Sequence, residues 1–204
     1  MPTTKAKTQD RLLDAAQEIV NQQGFAATSV DKIIERAGVT KGTFFYHFKT
    51  KNDLARALID RYAAGDQEML RSSMDRAEKL SNDPLQQVLI FVGLILEVAE
   101  ELDASPYPGC LFATYCYESG LFDEETNRVI ADAMLNWRGV LGEKLRAVAE
   151  RHPPKIEVDL DNLADLLTVV FEGAFVMSRS VGGRNVFVDQ IRLYRTYLEL
   201  LFEA

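Results

Sequence analysis

Residues 29–48 read Ser-Val-Asp-Lys-Ile-Ile-Glu-Arg-Ala-Gly-Val-Thr-Lys-Gly-Thr-Phe-Phe-Tyr-His-Phe. Ser29 suits the N-cap of a helix over 30–37, and Gly38 suits its stop. Only Val39 and Thr40 then intervene before a second short helix over 41–48. Two short helices across a tight, Gly-containing turn form a helix-turn-helix. Val30, Ile33, Ile34, Ala37, Val39, Phe44 and Phe48 have the spacing to pack both helices on a third. Thr40, Lys41, Thr43, Phe45, Tyr46 and His47 are left facing outward on the second helix. They offer hydrogen-bond donors, a cation and aromatic rings at a helix start, which is the part of a recognition helix that enters the major groove. Gly42 has no side chain, so backbone there can approach DNA closely. Lys49 and Lys51 follow at the next helix N-terminus, where side chains and backbone N–H groups can bind phosphate. A solvated lysine is the plain alternative for Lys51.

Other chemistries find no footing. His47 is one of two histidines, and alone it makes no metal site. It has no nearby Ser, Cys or paired carboxylate to complete a recognisable triad. Two cysteines are too few for a disulfide framework or a multi-cysteine zinc site. Cys110 and Cys116 are six residues apart, about 240° around a helix, so no bond between them is expected. No phosphate loop is present. The reading is therefore of a non-enzyme with no metal and no cofactor.

The elements that must position these residues are helices. Leu12, Ala15, Ala16, Ile19 and Val20 repeat at three- and four-residue intervals before Gly24. Thr50 and Asp53 resemble a capping box opening a helix that carries Leu54, Leu58 and Tyr62 on one face and runs to about Leu80. Asp83-Pro84 starts a fifth helix, apolar on nearly all sides, which belongs in the middle of a packed body. Ser105-Pro-Tyr-Pro-Gly109 reads as a loop, Cys110–Ser119 as a short aromatic segment, and Asp123 to about Arg151 as a long helix ended by His152-Pro-Pro154. The last two helices carry heptad-like seams: Leu163, Leu167, Val170, Ala174, Met177 and Val181, then Phe187, Ile191, Tyr194, Leu198 and Leu201, with Gly182-Gly183 between. These seams fit either ordinary intramolecular core or a dimer interface. No strand alternation or internal repeat is visible. The fold class is all-α, with about nine helices. With 204 residues, 47% hydrophobic and 26% charged, the chain is globular in composition.

Residues 8–62 resemble the TetR/AcrR family of transcriptional regulators. The likeness rests on Gly24-Phe25, Thr28-Ser29-Val30, Ala37-Gly38-Val39, Thr40 through Phe48, and Lys49-x-Lys51-x-x-Leu54. The resemblance implies an N-terminal three-helix helix-turn-helix DNA-binding domain, set at 1–52. It implies a C-terminal helical domain for ligand binding and dimerisation, set at 53–204. It adds Thr28 and Ser29 to the expected DNA contacts and makes Lys51 a phosphate ligand. Family members usually have Tyr where this chain has Phe45. The missing hydroxyl removes a phosphate contact and leaves a ring that can touch a thymine methyl.

For the two seams, the resemblance implies a four-helix bundle across a two-fold axis. The interface expected is Leu163, Leu167, Val170, Ala174, Met177, Ile191, Tyr194, Leu198 and Leu201. For the central aromatics it implies an effector pocket, with Phe91, Cys110, Phe112, Tyr115, Trp137, Phe171 and Phe175 as candidate walls; plain core packing is the other reading. Cys110 has three open roles: buried core thiol, pocket wall or reactive sensor.

Charge fits a two-part molecule. Residues 1–61 hold 10 Lys+Arg against 7 Asp+Glu, a net of +3, and residues 62–204 hold 13 against 24, a net of -11. A basic head and an acidic body suggest two jobs, although +3 over 61 residues also fits ordinary scatter. The first ten residues are polar and the longest apolar run is Val88–Leu96, so neither a signal peptide nor a membrane span is expected. The expected protein is a cytoplasmic homodimer, a repressor that leaves a palindromic double-stranded DNA operator when a largely apolar small-molecule effector binds.

Overall fold

The computed structural model describes residues 4–104, 109–181 and 185–203. Ser105 to Pro108 and Gly182-Gly183, read above as loop and separator, lie outside these residues. Among the described residues there are nine α-helices and one 3-10 turn, and no strand: α1 (Thr4–Gln23), α2 (Val30–Ala37), α3 (Lys41–His47), α4 (Lys51–Leu80), α5 (Pro84–Ala104), α6 (Leu111–Tyr117), the 3-10 turn Ser119–Leu121, α7 (Glu124–Arg151), α8 (Leu160–Val181) and α9 (Val186–Phe202). The all-α expectation holds.

Local chemistry explains the boundaries. Gly24 ends α1 in a left-handed conformation, φ 81°, with its N–H on the carbonyl of Val20. Gly38, φ 61°, ends α2: its N–H donates to Glu35 and that of Val39 to Ile34, a Schellman closure. Thr50 and Asp53 make the reciprocal capping box that opens α4, at 2.9 and 3.0 Å. Asp83 and Asp123 accept from the N–H of Gln86 and Thr126 and cap α5 and α7.

The helices pack as two compact units, Met1–Gly65 with Gly109–Ala131, and Asp66–Pro108 with Asp132–Ala204. The first packing unit takes in α6, which builds part of its core. Tyr115 on α6 is fully buried. Its ring stacks on Phe122 at 4.2 Å and lies 5.9 Å from Phe25. Its hydroxyl donates to the carbonyl of Ala55 at 3.0 Å. Leu12, Ala16, Phe25, Ile33, Phe44, Phe48, Leu54 and Leu58 complete that core.

The second unit is built on α5, which packs against α9, while α9 also packs along α8. Val88, Phe91, Val92 and Ile95 of α5 are buried, as the all-round apolar pattern requires. Two polar ties fix the register: Tyr194 donates to the Leu163 carbonyl at 3.0 Å, and Arg195 to that of Leu89 at 3.3 Å. Burial raises the Tyr194 hydroxyl pKa.

Candidate nucleic-acid interface

The site is built from α1, whose apolar stripe receives α2 and, through the turn, α3. Arg11 of α1 reaches the C-terminus of α2 and donates to the carbonyls of Ala37 and Gly38. Those carbonyls have no partner within their own helix, so a guanidinium there satisfies the helix-turn-helix corner and complements the helix dipole. Arg36 pairs with Glu18 on the same side.

Ser29 caps α2, with its hydroxyl accepting from the Lys32 N–H at 3.2 Å. Thr40 caps α3 by accepting from the Thr43 N–H at 3.1 Å, and the two threonine hydroxyls lie 2.8 Å apart. One side of α3 is anchored: Phe44 and Phe48 are buried, with ring centroids 5.9 Å apart. The other side faces solvent. Lys41 is exposed, and its pair with Asp31 at 3.7 Å is a surface pair of small worth. Gly42 is open apart from the Thr40 hydroxyl oxygen, so backbone can be approached there. Phe45 is exposed, and Tyr46 more so, at 64%. Tyr46 meets the half-buried His47 edge to face at 5.2 Å, and the Lys5 ammonium sits 5.2 Å from its ring centroid. Lys49 is exposed, with its ammonium on the Phe45 carbonyl at 3.2 Å. Thr40, Lys41, Gly42, Thr43, Phe45 and Tyr46 therefore form one polar, aromatic-edged surface at the start of a helix, with Ser29 exposed at the start of α2.

Two of the expected DNA contacts are engaged within the chain. Thr28 is 2% exposed, and its hydroxyl donates back to the Gly24 carbonyl at 2.6 Å. It closes the turn before α2 and presents nothing outward. Lys51 is also engaged inside the unit. Its ammonium donates to the Phe25 carbonyl at 2.6 Å and lies 4.0 Å from the centre of the Phe25 ring. Burial lowers its pKa, and the negative charge of Glu118 opposes that shift.

Glu118 was not legible in the sequence. Its carboxylate accepts from the N–H groups of Phe25 and Ala26 at 2.8 and 3.2 Å. Phe25 is thus held from both sides, N–H by Glu118 and carbonyl by Lys51. These contacts fix the chain between α1 and α2, and hence where α2 and α3 begin. A Cβ at Gly24 would meet the Glu118 carboxylate at 3.0 Å, so both the space and the backbone conformation favour glycine there.

The expected pocket residues are shared between the two packing units. Cys110, Phe112 and Tyr115 belong to the first packing unit and Phe91, Trp137, Phe171 and Phe175 to the second. Tyr115 is core of the first unit. Phe112 is buried edge-on against Tyr62 at 4.8 Å. Cys110 is buried, with its sulfur 3.9 Å from the Tyr62 hydroxyl, while Cys116 is exposed and not bonded to it. Phe171, Phe175 and Phe187 make a ring cluster at 4.5–5.7 Å. Phe91 lies 6.1 Å from the half-buried Trp137.

The seam on α8 and α9 is corrected as well. Leu163, Leu167, Ala174, Ile191, Tyr194, Leu198 and Leu201 are buried within a single chain, with Ile191 and Leu198 at 0% exposure. They are already covered by their own chain and cannot meet a second one. Val170 is half-buried and Met177 exposed. The large apolar residues left uncovered are Met177 and Val181 at the end of the α8 seam, Val169 and Val176 beside it, and Leu193 and Leu200 of α9. No described helix is long and apolar enough to cross a membrane.

Known proteins resemble this geometry. Residues 12–58 match the model for bacterial regulatory proteins of the tetR family. An uncharacterized HTH-type transcriptional regulator of Bacillus subtilis, YxaF, is 22% identical over 178 residues, covering 86% of this chain and 87% of the relative. The HTH-type transcriptional regulator AcrR of Shigella flexneri is 33% identical over 89 residues, 42% of this chain and 40% of that protein. In three dimensions the chain is similar to the regulatory protein TetR from Rhodobacter sphaeroides, with a TM-score of 0.74, 23% identity and 94% and 97% of the two chains covered. A TetR-family transcriptional regulator from Agrobacterium tumefaciens superposes with a TM-score of 0.78 at 20% identity, covering 98% and 100%. Residues 12–58, which hold the capped helix-turn-helix and the outward polar face of α3, match the tetR family of bacterial regulatory proteins, and the chain as a whole shares the fold of TetR-family regulators.

Proposed function

We propose that the protein is a homodimeric repressor that holds a palindromic operator and releases it when a small molecule binds the body. DNA contact belongs to the head, residues 1–52, and effector binding and dimerisation to residues 53–204. The observation that carries the reading is the start of α3, where buried Phe44 and Phe48 anchor a helix whose outward residues are donors, a lysine and an exposed tyrosine. Thr40, Thr43 and Tyr46 suit base edges and phosphates, and Lys41, Lys49 and the N-terminal lysines suit phosphate alone. Lys51 acts one step back, by holding the turn that sets α2.

One helix-turn-helix reads a short half-site, so a two-fold partner about one DNA turn away is required. The uncovered faces of α8 and α9, with Val176, Met177, Leu193 and Leu200, supply an apolar surface for that partner. Release needs two arrangements of the dimer, of which only one spaces the recognition helices for adjacent major grooves. A roughly 100-fold loss of DNA affinity requires about 2.7 kcal/mol of coupling.

Selection of bound DNA from a random pool tests the reading. A palindrome is the expected result. On it, Thr43→Ala or Tyr46→Ala changes preference among operator variants. Lys41→Ala weakens binding about equally on all sequences and lowers the salt slope by about 1. Binding to random DNA as tight as to the best selected site overturns the proposal.

A further inference from the structure

Tyr46 carries the most exposed ring on α3, at 64%, yet residues of two different elements hold that ring. His47, next to it in α3, meets it edge to face, with ring centroids 5.2 Å apart and planes at 87°. His47 is half-buried and its ring lies 6.3 Å from that of buried Phe48, so it is seated on the core of the head. Lys5, in the first turn of α1, places its ammonium over the Tyr46 ring, 5.2 Å from the centroid. The helix that carries Lys5 is itself tied to the corner of the helix-turn-helix through Arg11, which donates to the Ala37 and Gly38 carbonyls.

An exposed tyrosine on a helix otherwise samples more than one staggered rotamer. A cation over one ring face favours the rotamer that keeps the ring beneath it, and at an exposed site this is worth about a two- to fivefold population ratio. Fixing the ring before DNA arrives lowers the ordering cost of the contact. The ammonium attracts the ring through its charge and keeps three N–H donors, so a phosphate can bind Lys5 without ending the pair. As a direct contact Lys5 suits phosphate alone. Through Tyr46 it also sets where a hydroxyl able to reach a base edge stands.

We propose that Lys5 is a positioning residue for sequence readout: it fixes the Tyr46 ring on the recognition helix, and the first turn of α1 thereby belongs to the specificity-determining surface. The inference rests on the DNA reading above and adds to it a residue outside the helix-turn-helix.

Binding of the full-length protein to its selected operator and to single-base variants of that operator tests the pairing. Lys5→Met keeps the aliphatic stem and removes the cation. It narrows the preference between operator and variants by about two- to fivefold, at the same base positions where Tyr46→Leu narrows it. Lys5→Arg keeps a cation for the ring and retains the preference, which guards against a merely structural effect of the first variant. In the Tyr46→Leu background, Lys5→Met leaves preference where it is and only weakens binding about equally on all sequences. Two results overturn the inference: a Lys5→Met variant that weakens all sequences equally while Tyr46 is present, or a loss of preference that is the same with and without Tyr46. Wild-type protein that binds random DNA as tightly as the best selected site overturns the repressor reading and this inference with it. A selected palindrome whose base preference ignores Lys5 overturns this inference alone and leaves the repressor reading standing.

Discussion

The helix-turn-helix and the α8/α9 pair display the same signal, apolar residues three and four apart, yet the signal meant different things. In the head, the stripe and the short turn together dictate one solution. Ile33, Ala37, Phe44 and Phe48 go inward, so the polar residues between them face out and can be read as a contact surface. In the body, the seam of α9 is just as regular, but a heptad spacing says only that a face is covered, not by whom. Ile191, Tyr194 and Leu198 are covered by their own chain. The apolar residues left for a partner, Leu193 and Leu200, stand at 63% and 64% exposure and do not stand out from the periodic pattern.

The sharpest way to break this contrast is to substitute on both faces of α9. Leu198→Ala removes a fully buried side chain and should lower stability by about 2–5 kcal/mol, seen in urea unfolding of a dilute sample. Leu200→Glu should leave the helical signal and single-chain stability near wild type, within ~0.5 kcal/mol, yet yield monomers in sedimentation and steeply weakened operator binding. A dimeric, operator-binding Leu200→Glu variant would move the interface off this face.

A second contrast lies within the head, between residues that display themselves and residues that hold the display. Helix ends were legible because caps are local: Ser29, Gly38, Thr40, Thr50 with Asp53, and Asp83 each act within a few positions. The exposed set on α3 was legible for the same reason. The inward bonds of Thr28 and Lys51 were not legible, because residue type suits a phosphate equally well when the chain's own carbonyl takes the donor. Glu118 acts across 93 positions and leaves no periodic trace. Glu118→Ala should therefore cost about 1–3 kcal/mol through two amides left without their acceptor. Hydrogen exchange at Phe25 and Ala26 should quicken, and operator affinity should fall with its sequence preference unchanged. Exchange at wild-type rates would mean that the turn holds itself without the carboxylate.

The smallest expected effect separates the two packing units by what each does with a buried charge. In the first, Lys51 has a carbonyl, a ring and the opposing charge of Glu118 around it. In the second, Asp66 accepts from an indole N–H, and among the described residues no cation pairs with it. Because Asp66 is raised in the fold, the folded state holds that proton to higher pH than the unfolded chain does. Its contribution to stability is therefore most favourable below the ordinary carboxylate pKa and declines as pH rises from there through the raised value. Asp66→Asn removes that decline while keeping the indole bond. The melting temperature of the variant should therefore gain on wild type as pH rises from acid to neutral, with the difference between the two proteins cancelling the titration of all other carboxylates. A variant that melts at or below wild type across the whole range would show that the charge is already compensated within the chain.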